Sequence, residues 1–494
     1  MSSRASIAPR IVLTLAGLAI TSTLAHGQTD DLAARATQAR AAMEAGRFEE
    51  AVAAYREVAR GLPDHPGAVL NLGLALHSAG RAREAIKEFR RATELAPDLA
   101  PAWLMLGINH ARLGETEQAA KALGRAVELE PRNALARLES ADARLSLGRY
   151  EGAVADFRAL IELDQRNPKA WLGLGLAYAG LSEAAFESLA REDEASGYAD
   201  ALRAEALAAS GQYRSAFTLY RRALEALPSL PGAHSAVAAI YEATGHPEWA
   251  RVARAKESGR PPRGCGGDDA NACLEATRGA RTPESIYWRA RAARDLAERA
   301  YAELLEFPDS PERHRLEAGI LSLSGRHAEA AAALRKAIEV APESLQVQRE
   351  LARALYRGRD FEALLPRARK LLAEQPESSE LNLMAGAALL ELRRPAEAAP
   401  FLEKAIQGGD GSPSAQALLA LAYLDSGRPA DALPRFEAAL TDDRDGAVRF
   451  QMARALRMIG QAERAAALMA ESQKLAQSAR GEERSLQEAE ISPP

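Results

Sequence analysis

The chain has 494 residues, 47% hydrophobic and 27% charged, with a formal net charge of −5. That length exceeds one compact core. The mixing of basic and acidic residues, with no long run of one sign, excludes an electrostatic footprint for nucleic acid. Aromatics are 5% of the chain; with Ala, Leu, Glu and Arg dominant, the composition favours close-packed helices over sheets. Lys is rare among the basic residues, an Arg and Ala bias that fits a GC-rich genome better than phosphate binding.

Residues 1–27 read as a secretory signal peptide. Arg4 and Arg10 supply a positive start, Ile11 to Ile20 is a short apolar run, and Ala25-His26-Gly27 places small residues at a cleavage site. No Cys follows the run, so a lipid anchor is not indicated. No later stretch is long and apolar enough to be expected to span a bilayer. The expected location is periplasmic or secreted.

Residues 28–258 form a first repeat block. Its clearest part runs from Pro66 to Pro131, where Gly73 falls on Gly107, Gly80 on Gly114, Ala85 on Ala119, Ala92 on Ala126 and Pro97 on Pro131, each 34 positions on. Such a period marks paired helices stacked in a solenoid. Gly46, Gly80, Gly114 and Gly148 stand where a first helix must stop, and Pro63, Pro97 and Pro131 end the second. Gly73, Gly107 and Gly175 lie inside the first helix, where glycine costs about 1 kcal/mol. That cost predicts a close approach, assigned here to Ala85, Ala119 and Ala153. Trp103 and Trp171 are read as packing residues.

These positions resemble the tetratricopeptide repeat: Trp103, Leu106, Gly107, Ala119, Ala126 and Pro131 stand at its signature spacings, as do Trp171, Leu174, Gly175 and Tyr178. The resemblance implies an all-α superhelical solenoid of helix-turn-helix units. It also implies a concave face, lined by first helices, that holds a protein or peptide, and a scaffold without chemistry of its own.

The period then slips. Gln165 replaces the closing Pro, Ser182 stands at the turn, and Phe186 to Asp193 reads as an irregular second helix. Residues 259–282, rich in Pro, Gly and Asp, read as a linker loop. It carries Cys265 and Cys273, expected to form a disulfide outside the cytoplasm that contributes about 2 kcal/mol. A calcium site at Asp268, Asp269 and Asn271 is the weaker alternative, because the spacing is not that of an EF-hand. The second block spans 283–471. Its start reads as two helices and part of a third, with clean repeats from Ala318 to Pro342 onward. Residues 472–494 read as a polar capping helix and a frayed Ile491-Ser492-Pro493-Pro494 tail.

No catalytic constellation stands out: there is no HExxH, phosphate loop or GxSxG, and the histidines are scattered. No metal or cofactor is expected. The repeat register places Leu70, Leu74, His77, Leu104, Ile108 and Arg112, and then Leu172 and Leu176, on the partner-binding groove. This mainly apolar set favours an amphipathic helix or an apolar extended segment, while Arg349 and Arg353 offer an acidic segment a weaker site. His110 reads as a packing residue. The expected function is a non-catalytic interaction scaffold of the bacterial cell envelope. The alternative is an accessory protein or enzyme acting on envelope polysaccharide.

Overall fold

The computed structural model describes residues 26–192, 197–265, 269–279, 281–323, 325–487 and 491–494. The expected signal segment lies outside them except for its last two residues. The described residues form 25 α-helices and no strand, and the chain divides into two compact units, Met1–Arg112 and Leu113–Pro494.

The first unit holds α1 (His26–Glu44), α2 (Phe48–Gly61), α3 (Pro66–Ser78), α4 (Ala82–Leu95) and α5 (Ala100–Arg112). Pro66 opens α3, and His65 Nδ1 accepts from the Ala68 amide at 3.2 Å, so the helix starts capped. Gly80 turns the chain from α3 into α4 at φ 77°, a value that L side chains resist. α4 then buries Ala85, Ile86, Phe89 and Ala92 along one stripe. What meets Gly73 is not Ala85 but the Phe89 ring: a Cβ at Gly73 would stand 2.6 Å from Phe89 Cε1. The glycine therefore makes room for an aromatic ring rather than for a second small residue.

The second unit begins with α6 (Thr116–Leu129), α7 (Ala134–Ser146), α8 (Tyr150–Leu163) and α9 (Pro168–Glu192). There follow α10 (Gly197–Ala209), α11 (Tyr213–Ala226), α12 (Ala233–Ala243), α13 (Pro247–Ala255), α14 (Ala270–Ala276) and α15 (Pro283–Leu305). The remainder is α16 (Pro311–Leu323), α17 (His327–Val340), α18 (Leu345–Arg357), α19 (Phe361–Glu374), α20 (Ser379–Glu391), α21 (Pro395–Gln407), α22 (Pro413–Asp425), α23 (Pro429–Ala439), α24 (Ala447–Met458) and α25 (Ala462–Gln487).

Three local expectations change here. There is no turn at Ser182: α9 runs unbroken through it, and the Ser182 hydroxyl donates to the Ala290 carbonyl of α15 at 2.9 Å. Residues 283–305 form one helix rather than two. The stretch 259–282 contains α14, capped by Asp269 Oδ1, which accepts from the Asn271 and Ala272 amides. All three follow from one arrangement. α9 and α15 pair along their length as the two arms of a single hairpin, and a Cβ at Gly175 would overlap the Tyr301 ring. Tyr301 does for Gly175 what Phe89 does for Gly73. Residues 193–282 are thus inserted where the turn of that hairpin would lie. The insert carries two further hairpins, α10/α11 and α12/α13, and α14, on a core continuous with α9 and α15.

The insert is pinned to α15 by polar groups as well. Glu205 of α10 accepts from Arg291 Nε at 3.0 Å and from the Tyr287 hydroxyl at 3.3 Å, and it also pairs with Arg294. The Cys265 and Cys273 sulfurs are at bonding distance, with Cα atoms 4.3 Å apart.

Beyond α15 the 34-residue register runs from Gly325 through Arg359 and Arg393 to Gly427. The two arginines hold the left-handed turn at φ 56° and 60°. The turn geometry persists where its usual residue is gone, because the packing of both arms dictates it.

Candidate partner-binding faces

In the first unit α3 and α5 are the first helices of successive repeats and lie side by side. The residues expected to line the groove divide by exposure. Leu70 is 2% exposed and Leu104 7%, so both are core residues that offer a partner no surface; their apolar side chains are absorbed between helices. Leu74, His77 and Ile108 are half-buried, and Arg112 is exposed. His77 Nδ1 lies 3.0 Å from Asn109 Oδ1, and Asn109 Nδ2 donates to the Met105 carbonyl at 2.7 Å. Burial holds the His77 pKa below its ordinary value; the Asn109 bond opposes this and the Arg112 charge adds to it. His77 is therefore a satisfied polar residue between two apolar neighbours. His110 is buried, in keeping with a packing role.

In the second unit Leu172 is 4% exposed and packs on Leu304 and Leu316, which removes it from any groove. Leu176, one helical turn on, is 37% exposed. It belongs to a row of first helices in which α7 touches α9, α9 touches α16, and α18, α20 and α22 follow as neighbours. The row is more charged than the first repeats suggest. Glu139 and Asp142 sit one turn apart on α7, both half-buried. Burial raises Glu139 to about 7; the Asp142 charge adds to the shift and Lys169 of α9 opposes it. Burial also raises Asp142 to about 6, against the pull of Arg315 and Lys169. Neither carboxylate has an ion pair among the described residues.

Further along the row, Arg315 of α16 closes on Glu350 of α18, with Nε to Oε2 at 2.7 Å and NH2 to Oε1 at 2.5 Å. Arg353 pairs with Glu380 of α20. Arg349, half-buried between these pairs, has no ion pair among the described residues; burial and the Arg353 charge lower its pKa. The face thus runs from two unpaired carboxylates on α7, past closed pairs, to one unpaired guanidinium on α18.

Sequence reasoning missed Glu139 and Asp142, although the signal was present. Counting 34 on from Leu74 gives Ile108, then Asp142, then Leu176. It also missed a recurring donor. Trp103 Nε1 donates to the Pro97 carbonyl at 2.9 Å and Trp171 Nε1 to Gln165 at 2.9 Å. Arg137, Gln348 and Asn382 do the same to Pro131, Pro342 and Pro376, at 2.5, 2.7 and 2.9 Å. Each reaches back six residues to the carbonyl that closes the previous repeat, so the half-buried tryptophans also tie repeat to repeat.

The charge cluster around Asp156 closes α7 on α8: Ser140 Oγ donates to Asp156 Oδ2 at 2.9 Å, Arg144 NH1 at 2.7 Å, and Arg137 NH1 to Oδ1 at 3.3 Å. It is a hairpin clasp and not a site. Among the described residues no group of three or more His, Cys, Asp or Glu converges to hold a metal ion, and Asn271 is engaged by Arg158. No helix of the described residues is long and apolar enough to cross a membrane.

The model of a tetratricopeptide repeat matches residues 37–100, 104–168, 138–183, 321–363, 349–413 and 418–480, more than half of the chain. No curated protein matches. Among solved structures, MamA is 22% identical with a TM-score of 0.30, over 40% of this chain and 92% of its own. A MamA fragment from Desulfovibrio magneticus RS-1 is 19% identical with a TM-score of 0.32, over 35% of this chain and 97% of its own. YrrB, described as a TPR protein with an unusual peptide-binding site, is 18% identical with a TM-score of 0.31, over 37% and 97%. With the repeat model matched on both sides of the insert and the hairpins in place, the chain belongs to the tetratricopeptide repeat family.

Proposed function

We propose that this chain is an exported, non-catalytic scaffold of the bacterial cell envelope that binds a protein or peptide segment along its first helices. The carrying observation is the row in the second unit, where Glu139 and Asp142 at one end and Arg349 at the other are half-buried charges without ion pairs among the described residues. Keeping such groups desolvated and unpaired costs stability, and that cost is recovered when a ligand supplies the opposite charge. A segment with a basic residue toward α7 and an acidic one toward α18 suits this face, and Leu176 offers it an apolar contact. The signal pattern of residues 1–27 supports export.

The test compares capture from a periplasmic extract by the unaltered chain, by Glu139→Lys with Asp142→Lys, and by Arg349→Glu. Each charge reversal is expected to abolish capture while circular dichroism stays unchanged. Capture through α7 is also expected to weaken as pH falls from about 7 to about 6, as the two carboxylates protonate. Equal capture by all three chains sinks the reading. Export is checked separately by the mass of the mature protein, expected to begin at Gln28.

A further inference from the structure

The segment Ile491–Pro494 is not frayed. Ile491 is half-buried against the core of the insert, and the Tyr241 hydroxyl donates to the Ser492 carbonyl at 2.7 Å. Tyr241 itself is 2% exposed. Its ring is held by Phe217 at 5.5 Å and by the edge of Trp249 at 5.6 Å, and Trp249 stacks on His246 at 3.9 Å. Ile491 forms one wall of a cavity of about 590 Å³, whose other walls include Tyr213, Arg214, Thr244 and His246. The site therefore lies where the turns of α10/α11 and α12/α13 meet, away from the row of first helices.

The sequence of the segment suits it to this place. Ser492 precedes Pro493, and a residue before proline is pushed into extended backbone. Its carbonyl then has no helical partner and is free to accept from a buried phenol. Prolines keep the segment extended at low entropy, and aromatic-lined sites recognise such segments. α25 packs on α11, and residues 488–490 separate its end from Ile491. The segment seated at this edge follows α25 in the same chain, and its Ile491 packs on the core of the insert.

We infer that the turn edge of the inserted hairpins is a docking site for an aliphatic-Ser-Pro segment, and that the chain's own Ile491–Ser492 occupies it. The occupied site latches the last helix to the insert. It is distinct from the face of first helices and does not depend on what that face binds.

The probe is a fluorescein-labelled peptide of residues 485–494, followed by anisotropy with the full chain. The Ile491→Asp chain, its site vacated, is expected to bind the peptide at least about tenfold more tightly than the unaltered chain. A peptide carrying I491D is expected not to bind, which tests the contact without altering the protein. Adding Tyr241→Phe to the Ile491→Asp chain is expected to weaken binding about fivefold through loss of one hydrogen bond. Hydrogen exchange should rise in α11–α13 and α25 of the Ile491→Asp chain. Equal binding by unaltered and Ile491→Asp chains, or no binding to either, overturns the proposal. So does a dimer that becomes a monomer on Ile491→Asp, since the occupant is then a second copy.

Discussion

The hairpins α3/α4 and α9/α15 are closed by the same contact, a glycine of the first helix under an aromatic ring of the second. In one the ring is Phe89 on the next helix; in the other it is Tyr301, with residues 193–282 intervening. What defines a repeat here is the contact between its arms, not the contiguity of the chain. An insertion is tolerated at the turn because turns lie at the edge, where backbone groups reach water. Were residues 193–282 a flexible loop, closing it in place of a three-residue turn would cost about 3 kcal/mol more. The insert is instead folded, pinned to α15 by Glu205 and by α14, and its last loop is closed on itself by the Cys265–Cys273 pair.

The largest expected effect comes from filling the glycine. Gly175→Ala places a methyl 2.2 Å from Tyr301 Cε1 and is expected to cost about 3 kcal/mol, against about 1–2 for Gly73→Ala, where the same ring edge of Phe89 is 2.6 Å away. Urea unfolding by circular dichroism measures both, and proteolysis within 193–282 reports release of the insert. Tyr301→Leu should restore most of the loss in the Gly175→Ala chain and none of it in the Gly73→Ala chain. Failure of that rescue would mean that α9 and α15 are not the arms of one hairpin.

Next comes the bridge. With Cys265 and Cys273 joined, Cys273→Ser or added reductant is expected to lower the stability of the second unit by about 2 kcal/mol. The unfolding of residues in α1–α5 should not move. A mass unchanged by reduction and alkylation would show that the thiols are free, and the split hairpin must then hold without them.

Acid should separate the two units in opposite directions. Glu139 titrates at about 7 in the folded chain against 4.5 ordinarily, so the folded state binds more protons between those values. Stability of the second unit therefore rises as pH falls from about 7 to 4.5, by roughly 2 kcal/mol. His77 is depressed below 6.5, so the folded state binds fewer protons there. The first unit loses stability as pH falls through 6.5. Thermal melts at pH 8, 6 and 5 check both signs; Glu139→Gln should remove the gain above about pH 6 and leave the part below it that Asp142 supplies, with the loss in the first unit in place.

The repeat was legible in the sequence because its local rules recur every 34 residues: Gly80 and Gly114 at turns, Pro97 and Pro131 at closures. The α9/α15 pairing was not, since a local period carries no information about a partner beyond an insert. In the regular hairpin Phe89 stands sixteen residues after Gly73; the same count from Gly175 reaches Arg191. That mismatch, with the missing turn glycine near Ser182, was the available sign of a break. Arg359 and Arg393 hid two turns for a different reason, because packing imposed a left-handed backbone on residues that do not prefer it. Of the expected groove, Leu74, His77, Ile108, Arg112 and Leu176 keep some surface, whereas Leu70, Leu104 and Leu172 are spent on the core. Register alone gives the helix face, and the crossing of the next helix decides how much of it stays open.

The smallest effect concerns the tie between repeats. Trp103 lies beside a regular turn and Trp171 opens the split hairpin, yet both indoles donate six residues back, to Pro97 and Gln165. Trp→Phe removes the donor and leaves the ring, so each substitution is expected to cost about 0.5–1 kcal/mol, less than a buried bond because water reaches these carbonyls. Arg137 makes the same bond to Pro131 at 2.5 Å, so Trp→Arg at either position should retain it and lose only ring contacts. Equal losses for Trp103→Phe and Trp171→Phe would show that the first arm of the split hairpin is seated on the preceding repeat as in an ordinary unit. A loss several times larger at Trp171 would mean that α9, lacking a second arm next in sequence, depends on its indole for alignment. The arms of the split hairpin would then be aligned by that indole as well as by the glycine contact.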